Sequence, residues 1–352
     1  MKSVIDVEGV KVGVGHPCFT IAEIGSNHNL DKQVVKDLID AAKEASFDAV
    51  KFQIYDPETA FSKNEMTTDV KLDHLYGVHP WWEVARDKIL MPRDWFGEMF
   101  AYVRSKNLIP LSAIHRPEDV DFLKPFGLPV IKIASIDLHY HHLLKQLIPY
   151  KIPFLISTGM AYLSEIDDTM RMLESEGVDE TILLHCVSRY PPRPEELNLK
   201  NITTFQHSFN VPVGFSDHST GIVSAIAAVV LGATVIEKHI TLDKTYPGPD
   251  HIFALEPFEM KQLVDAVRET ELALGKTQRE MSVDEIDGRK MIRRSLVSKV
   301  QISIGEKISL EKIKFARPGT GISTNEFKYA EGQRAKKNIP PETIIQWDML
   351  ER

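Results

Sequence analysis

The feature that most constrains the fold is a series of short runs rich in Val and Ile, each followed by a stretch with helical periodicity. The runs are bounded by Pro, Gly or Asp and do not alternate strictly between polar and apolar residues. This pattern is typical of parallel strands that are buried on both faces. The runs occupy residues 19–25, 48–55, 109–114, 130–135, 153–158, 182–187, 211–218 and 233–240. Eight such strand–helix units predict an α/β fold of the (β/α)8 TIM-barrel class.

The stretches between the runs predict the outer helices. After the first run, Val35, Leu38, Ile39 and Ala42 fall on one stripe, and Asp31 is placed to cap the helix. A doubly wound open sheet is the alternative fold, but no G-x-G-x-x-G motif follows the first run. The segment before the first run, "VIDVEGVKVGVG", predicts a hairpin that closes the bottom of the barrel.

Two regions depart from the strand–helix repeat. The insert at 64–95, between the second and third runs, begins as a polar loop, which predicts a mobile lid over a site. Beyond a charged bridge, the last part of the chain has short strands, Gly turns and Pro. We therefore expect a barrel domain over 1–284 and a small domain over 285–352, which needs a docking partner because domains of this size are marginal alone.

Composition narrows the function classes. The net charge of −8 argues against a nucleic-acid partner, because binding to a phosphate backbone calls for a basic excess. Only two cysteines are present, the N-terminus lacks the apolar core of a signal peptide, and no apolar run is long enough for a membrane span. These features predict a protein of the cytoplasm without a membrane partner.

Polar residues stand at or just after the end of every predicted strand. In a (β/α)8 barrel these ends meet at one face, where catalytic groups lie, so together they predict a site surrounding a polar ligand. The main ones are Glu23, Lys51, Gln53, Ser112, Lys132, Ser135, Ser157, Ser188, Tyr190, Ser216, His218 and His239.

Two pairs in this set predict specific chemistry. Lys51 and Lys132 supply two positive charges that, with neighbouring Ser hydroxyls, can hold a phosphate; the alternative is that the lysines pair with neighbouring carboxylates. His218 and His239 end adjacent strands and can bind a divalent metal, or each can be a hydrogen-bonded structural residue. Glu23 is either a general acid or base, or an ion-pair partner of Lys51.

A set of motifs along nearly the whole chain resembles the sialic acid synthase family. In order they are "AEIGSNHN", "VKFQ", "IKIAS", "STGM", "LLHCVSRYP", "GFSDHS", "EKHIT", "PGPDH" and the C-terminal "ARPGTG". The resemblance implies a barrel followed by an antifreeze-like (SAF) domain, a domain-swapped homodimer, and a divalent metal, often manganese, with magnesium or cobalt as alternatives. It also implies condensation of phosphoenolpyruvate with an amino-sugar aldehyde, such as N-acetylmannosamine, to a nine-carbon 2-keto acid and phosphate.

The resemblance also implies roles for individual residues. His218 and His239 match the metal ligands, and Glu23 matches an acidic residue near the reacting carbons. Asp250 matches a carboxylate that contacts the sugar, and Arg317 matches an arginine that reaches the N-acetyl group from the partner chain. Lys51, Lys132, Ser135 and Ser157 match residues that hold phosphoenolpyruvate, with Ser112 and Ser216 beside them and Gln53 in the same motif as Lys51.

One departure concerns the sugar. Ser188 stands where sialic acid synthases often have Asn, at a position near Tyr190 that faces the sugar. The related sugars of legionaminic, pseudaminic or spore-coat synthases therefore stay open as products. Two further hypotheses are a phosphoenolpyruvate-dependent synthase of a shorter keto sugar acid and a sugar-binding barrel without catalysis.

Overall fold

All eight predicted strands are present and close into one parallel barrel in the structure, a computed structural model that describes residues 1–351. The strands of the N-terminal hairpin and the barrel are β1 (Val4–Val7), β2 (Val10–Gly13), β3 (Phe19–Glu23), β4 (Ala49–Gln53), β5 (Ile109–Ala113), β6 (Ile131–Ile133), β7 (Phe154–Ser157), β8 (Thr181–Cys186), β9 (Val213–Asp217) and β10 (Val235–His239). The barrel order is β10-β3-β4-β5-β6-β7-β8-β9. The prediction of a closed barrel is confirmed, and the open-sheet alternative is wrong.

Helices follow the barrel strands and cover the outside of the barrel. The first of them begins after Asp31, whose side chain accepts a hydrogen bond from the backbone N–H of Gln33 at 2.7 Å, as the capping prediction requires. The helices are α1 (Lys32–Glu44), α2 (Pro57–Ala60), α3 (Asp73–Tyr76), α4 (Trp81–Val84), α5 (Phe96–Ser105), α6 (Pro117–Leu123), α7 (His141–Leu147), α8 (Leu163–Ser175), α9 (Asn201–Phe209), α10 (Val223–Val230) and α11 (Pro257–Leu274).

Residue parity along each strand decides what faces the barrel interior. On β5, Ile109 and Leu111 belong to the interior apolar cluster, and Ala113 continues the same face at the mouth. On β4 the outward residues Val50 and Phe52 pack against the helices instead. Because successive side chains in a strand point to opposite faces, each residue of a barrel strand faces either the barrel interior or the outer helices.

The N-terminal hairpin closes the bottom of the barrel. β1 and β2 pair antiparallel, with Val7 opposite Val10. Ile5, Val7 and Val12 are buried in the same cluster as the inward residues at the starts of the barrel strands. The predicted plug is therefore present, and ligands reach the barrel interior from the opposite end.

The insert between β4 and β5 has more regular structure than a loop. It contains the short helices α2, α3 and α4, and the chain continues as a π-helix over Ala85–Ile89. Its aromatic side chains contact one another: Phe61 packs edge-on against Trp81, and Lys63 lies 5.3 Å from the centre of the Trp82 ring. Between α2 and α3 the insert is irregular, as the sequence predicted for its first part, and the later part is helical.

The C-terminal part of the chain is a separate compact unit that begins at Lys276. This start lies before the expected boundary at 285, because the charged bridge includes the helix α12 (Val283–Ile292). The unit contains β11 (Ser295–Ser298), antiparallel to β12 (Ile313–Ala316), and the short helix α13 (Phe327–Ala330). It has its own apolar core, which includes Leu296, Ile313 and Leu350. No helix within residues 1–351 is long and apolar enough to cross a membrane.

Candidate active site

The polar strand ends meet in a cavity of about 380 Å³ at the C-terminal mouth of the barrel. Nearly all of the barrel-domain residues predicted for the site line this cavity. They are Glu23, Lys51, Gln53, Lys132, Ser135, Ser157, Ser188, Tyr190, Ser216, His218, His239 and Asp250. The site expected from scattered sequence positions is thus one enclosed space.

Two predicted residues are not among those that line the cavity. Ser112 is fully buried on the outward side of β5, where its hydroxyl donates to the Ala113 carbonyl at 3.1 Å, and Ala113 takes the place at the cavity wall. The assignment of Ser112 to the substrate site does not fit this placement, because the parity of β5 turns its side chain away. Arg317 is exposed just after β12 in the C-terminal unit, and its role stays a prediction.

A cluster of two lysines and two glutamates forms one wall of the cavity. Lys51 Nζ lies 2.8 Å from Glu23 Oε2 and 3.6 Å from Glu237 Oε1, and Lys132 Nζ lies 3.7 Å from Glu237 Oε2. Gln53 donates to the second Glu23 oxygen at 2.6 Å. The lysines therefore do pair with carboxylates, as the alternative prediction held, but only the contact of Lys51 with Glu23 has hydrogen-bond length.

Burial and neighbouring charges set the protonation of this cluster. Burial, reinforced by the charge of Glu237, raises the pKa of Glu23, although Lys51 opposes the rise. Burial lowers the pKa of Lys132. For Glu237 the two lysines outweigh burial and lower the pKa to about 2. Glu237 thus stays ionised between the lysines, while Glu23 takes up a proton more readily than an ordinary glutamate.

Serine hydroxyls lie beside the second lysine. Lys132 Nζ donates to Ser157 Oγ at 2.8 Å, and Ser135 Oγ accepts from the backbone N–H of Gly159 at 2.9 Å. A Cβ on Gly159 would lie 2.3 Å from Ser188 Oγ, so only glycine fits there. This corner combines an ammonium group, hydroxyls and closely approaching backbone, a set suited to a small oxyanion.

The two histidines lie together on the opposite part of the wall. The ring centres of His218 and His239 are 5.4 Å apart, and His239 Nδ1 lies 3.8 Å from Asp250 Oδ2. Asp250 is held by Ser26 Oγ, which donates to it at 2.9 Å. A side chain at Gly25, whose φ is +54°, would crowd both Asp250 and His239. The glycine at position 25 therefore leaves room for the side chains of Asp250 and His239 to lie close together.

The residues present fit a divalent cation that takes further ligands from substrate or water. His239 Nδ1 is buried without a hydrogen-bond partner, and burial lowers the pKa of this ring to about 3, which leaves it neutral. His218 Nδ1 contacts the Val187 carbonyl at 3.1 Å, so its Nε2 is free. Burial disfavours a charged His218, but Cys186 and Val187 outweigh it and raise the pKa. Within residues 1–351 no three His, Cys, Asp or Glu side chains form a ready-made metal site.

Several residues that line the site were given no role there from the sequence, although Glu237 is a polar residue near a strand end and Cys186 was expected to pack. Glu237, which links the two lysines, is two residues before His239 and shares its inward parity, a signal that was present in the sequence. Tyr55 lines the cavity beyond the end of β4, and Cys186 lines it at the end of β8. The ring of Tyr190 packs 4.1 Å from that of His218, a contact that no sequence pattern indicated.

Outward residues next to the histidines form a buried ion pair. Lys238 Nζ lies 2.8 Å from Asp217 Oδ2, and both side chains are inaccessible to solvent. Lys238 also donates to the Ser219 carbonyl. This pair joins β9 to β10 one residue before each imidazole, on the side away from the cavity.

A larger cavity, of about 1130 Å³, lies at the other end of the barrel and does not resemble a reaction site. It is lined by residues that precede the barrel strands, such as Cys18, Asp48 and Thr234. Its charged groups already pair with one another, since Arg268 contacts Asp48 and Glu271, each at 3.1 Å. The smaller cavity at the strand ends is therefore the candidate active site.

Comparison with known proteins identifies the family of this chain. Residues 38–279 match the NeuB family, and residues 293–351 match the SAF domain. The N,N'-diacetyllegionaminic acid synthase of Legionella pneumophila is 35% identical, over 98% of each chain. The crystal structure of the spore coat polysaccharide biosynthesis protein spsE of Bacillus subtilis superposes with a TM-score of 0.67, at 33% identity over 99% of each chain. That of the N-acetylneuraminic acid synthetase of Leptospira borgpetersenii gives 0.71, at 31% identity over 83% of this chain and 98% of that one. The chain therefore belongs to the NeuB family of sialic acid synthases, and it carries a C-terminal SAF domain, as the sequence resemblance implied.

Proposed function

We propose that this chain condenses phosphoenolpyruvate with an N-acetylated amino-sugar aldehyde to give a nine-carbon 2-keto sugar acid and phosphate. The single observation that supports it most is the division of one cavity into two parts. Lys51 and Lys132 form a cationic part, and His218 and His239 form a part with imidazole nitrogens. An enol phosphate and an aldehyde are two different ligands that need these two environments side by side.

Phosphoenolpyruvate binds at the lysine part in this proposal. The contacts of Glu237 with both lysines are longer than hydrogen bonds, so an entering phosphate or carboxylate can form the shorter ones. Ser135 and Ser157 add hydroxyls at the same corner. The raised pKa of Glu23 favours its uptake of a proton. Only the charge of Glu237 then opposes those of the two lysines, so the lysines attract the anion more strongly.

The aldehyde end of the sugar lies at the histidine part. His218 and His239 would hold a divalent metal, with manganese as our first choice, which would supply Lewis-acid polarisation of the carbonyl oxygen. Asp250, held by Ser26, accepts hydrogen bonds from sugar hydroxyls. Ser188 and Tyr190 line the cavity on the same side and contact the sugar.

The reaction forms a carbon–carbon bond and a carbon–oxygen bond to water, and it breaks the carbon–oxygen bond to phosphate. Carbon 3 of phosphoenolpyruvate attacks the aldehyde carbon, whose oxygen takes a proton, and positive charge develops on carbon 2. Water adds to carbon 2 and loses a proton, and the tetrahedral intermediate expels phosphate with the electrons of the carbon–oxygen bond while its new hydroxyl loses its proton to become the keto group. Glu23 is held at both oxygens by Lys51 and Gln53, so it faces the reacting carbons in a fixed orientation to stabilise the cation or transfer the proton.

Phosphate release from phosphoenolpyruvate tests the proposal. The protein is incubated with phosphoenolpyruvate and one hexosamine at a time, with and without manganese, and a sample without sugar is the control. We expect release that requires both the sugar and the metal. A panel containing N-acetylmannosamine and a 2,4-diacetamido-trideoxyhexose ranks the neuraminic and legionaminic alternatives. No release with any hexosamine would contradict the proposal and favour a binding barrel without catalysis.

We propose further that two copies exchange their C-terminal units, so that Arg317 of one chain reaches the sugar bound by the other. The apolar exposed side chains of α12, including Val283 and Ile286, support burial of this helix in an assembly. The two cysteines are buried and free, which supports a reducing compartment such as the cytoplasm.

A further inference from the structure

A line of stacked and hydrogen-bonded side chains borders the cavity outside the groups already discussed. Asp137 Oδ2 lies 2.6 Å from His115 Nδ1, and the His115 ring stacks on Tyr55 with ring centres 3.6 Å apart and planes 20° apart. The Phe61 ring is also near-parallel to that of Tyr55, with ring centres 5.9 Å apart. His115 Nε2 is buried without a partner, so Asp137 alone fixes the orientation of this imidazole.

The Tyr55 side chain points into the cavity. Lys51, Gln53 and Tyr55 alternate along β4 and its continuation, and all three line the same space. The Tyr55 hydroxyl makes no hydrogen bond within residues 1–351, although its ring packs against those of His115 and Phe61. A fixed phenol with a free hydroxyl in a substrate cavity is a preorganised hydrogen-bond donor.

The position of Tyr55 in the barrel determines which part of a ligand it meets. His218 follows β9 and His239 ends β10, whereas His115 follows β5 and Asp137 follows β6. In the closed order β5 lies across the barrel from β9, and β6 lies across from β10. Tyr55 lies beyond the end of β4, four residues after Lys51, and so nearer the mouth than the lysine part. A chain-like ligand whose first carbon is held at the imidazoles therefore reaches the wall of Tyr55 with its distal carbons, outside the position of phosphoenolpyruvate.

We propose that Tyr55 is a further substrate-contacting residue, which donates a hydrogen bond to an oxygen on the distal part of the amino-sugar, and that His115 and Asp137 are positioning residues for it. This inference rests on the proposed function. The acceptor is an oxygen, because a phenol that stays protonated donates. Burial first, and then the charges of Asp137, Glu23 and Asp250, raise the pKa of Tyr55 above its ordinary value.

The space behind this wall leaves room for a large distal substituent. A second cavity, of about 430 Å³, shares Tyr55 and Ile136 with the catalytic cavity and is lined beyond them by Thr59, Tyr140 and Gln146. The acceptor oxygen is thus either a hydroxyl, as in N-acetylmannosamine, or the carbonyl of a second acylamino group. The two sources share their chemistry, and sugars of each kind distinguish them.

The first experiment removes one oxygen atom. In Tyr55→Phe the ring and both stacks remain, so the variant keeps its fold, which a thermal melt verifies. We expect the KM for the amino-sugar to rise about tenfold, the effect of one lost hydrogen bond, and the KM for phosphoenolpyruvate to stay unchanged. Kinetics are measured with N-acetylmannosamine and with a 2,4-diacetamido-trideoxyhexose. Tyr102→Phe, which removes a hydroxyl that contacts Asp40 on the outer helices, is the matched control.

The second experiment tests positioning through a double-mutant cycle. His115→Leu removes the stack and the Asp137 contact, and we expect the KM for the sugar to rise several-fold. In the Tyr55→Phe background the same change has no further effect on this KM, because His115 acts through the Tyr55 hydroxyl. If His115 had only a general structural role, His115→Leu would instead lower kcat and raise the KM for phosphoenolpyruvate in both backgrounds.

The outcomes separate this inference from the proposed function. An active wild type whose KM for both sugars is unaffected by Tyr55→Phe overturns the inference and leaves the synthase proposal intact. Equal KM increases for sugar and phosphoenolpyruvate also overturn it. If the wild type releases no phosphate with any hexosamine, the synthase proposal fails, and the role of Tyr55 fails with it. A larger effect on the diacetamido sugar alone identifies the acylamino carbonyl as the acceptor.

Discussion

At the scale of single residues, two buried lysines on barrel strands have opposite roles. Lys132 faces the cavity, and its contact with Glu237 is loose at 3.7 Å. Lys238 faces outward and is fully paired with Asp217 at 2.8 Å. One is available to a ligand and the other holds two strands together, although the sequence presents both as a lysine inside an apolar run.

Substitution of the two lysines by glutamine separates these roles. We expect Lys132→Gln to raise the KM for phosphoenolpyruvate at least about tenfold, because a charged hydrogen bond is lost, with little change in the melting temperature. Lys238→Gln leaves the Asp217 charge buried without its partner and lowers the free energy of unfolding by about 3–5 kcal/mol. Steady-state kinetics and urea denaturation measure the two effects. Equal kinetic defects in both variants would contradict the assignment.

His239 provides the test of the metal site. Its buried Nδ1 has no protein hydrogen-bond partner, so His239→Ala removes little that stabilises the fold beyond packing. We expect turnover to fall about a hundredfold or more and calorimetric manganese binding to disappear, while the barrel stays folded. His185, a buried histidine that contacts the Leu197 carbonyl outside the cavity wall, is the matched control position. Retained activity of His239→Ala at saturating manganese would remove this residue from the site.

How much of the site the sequence could predict depended on strand parity. Glu23, Lys51 and His239 were predicted because they stand at strand ends with obvious chemistry. Ser112 was placed in the cavity although its neighbour Ala113 faces it. A shift of one residue reverses a side chain's direction, and the sequence of β5 alone does not determine its parity at the mouth. Glu237 became visible as a site residue only through its distances to both lysines.

At the scale of elements, the N-terminal hairpin contains two paired valines that differ in their contact with the barrel. Val7 and Val10 are opposite each other in the hairpin, but Val7 is 1% exposed and Val10 37% exposed. Residues opposite each other in an antiparallel pair share a face, so the difference shows that contact with the barrel interior reaches Val7 but not Val10.

The matched substitutions Val7→Ala and Val10→Ala measure this difference. We expect the first to lower the free energy of unfolding by about 2 kcal/mol, from two buried methyl groups and the space they leave. The second should change it by less than about 0.5 kcal/mol. Urea unfolding followed by circular dichroism gives both values. Similar losses in the two variants would show that the hairpin does not close the barrel as described.

Element positions were predicted more reliably than the insert. Each barrel strand overlaps its predicted run, because Val- and Ile-rich runs bounded by Pro, Gly or Asp carry the signal locally. Only the first part of the insert was predicted, as a polar loop; the later part forms α3 and α4, and Trp81 of α4 contacts Phe61. Helices of one turn depend on such tertiary contacts, which local sequence does not encode.

At the scale of the whole molecule, the chain combines a barrel with a small unit that has its own core. The sequence predicted this division but placed the boundary later, because the charged residues before Ser282 read as a linker. The proposed exchange of C-terminal units makes each site depend on Arg317 of another chain.

Mixed dimers test that exchange. Glu23→Gln and Arg317→Ala chains are each expected to be nearly inactive alone. When they are refolded together, the intact Glu23 of one chain meets the intact Arg317 of the other, and roughly a quarter of the sites regain activity under random pairing. Phosphate release after mixing measures the recovery. If Arg317 acts within its own chain, mixing restores nothing.

The closed bottom of the barrel has a kinetic consequence. Because β1 and β2 cover the strand starts, both ligands of the proposed reaction enter through the C-terminal mouth of the barrel, and the product leaves through the same opening. In the proposed reaction, the ligand at the inner position therefore has to bind before the outer one. We expect an ordered kinetic mechanism, in which an excess of the outer ligand inhibits turnover by blocking the entry of the inner one.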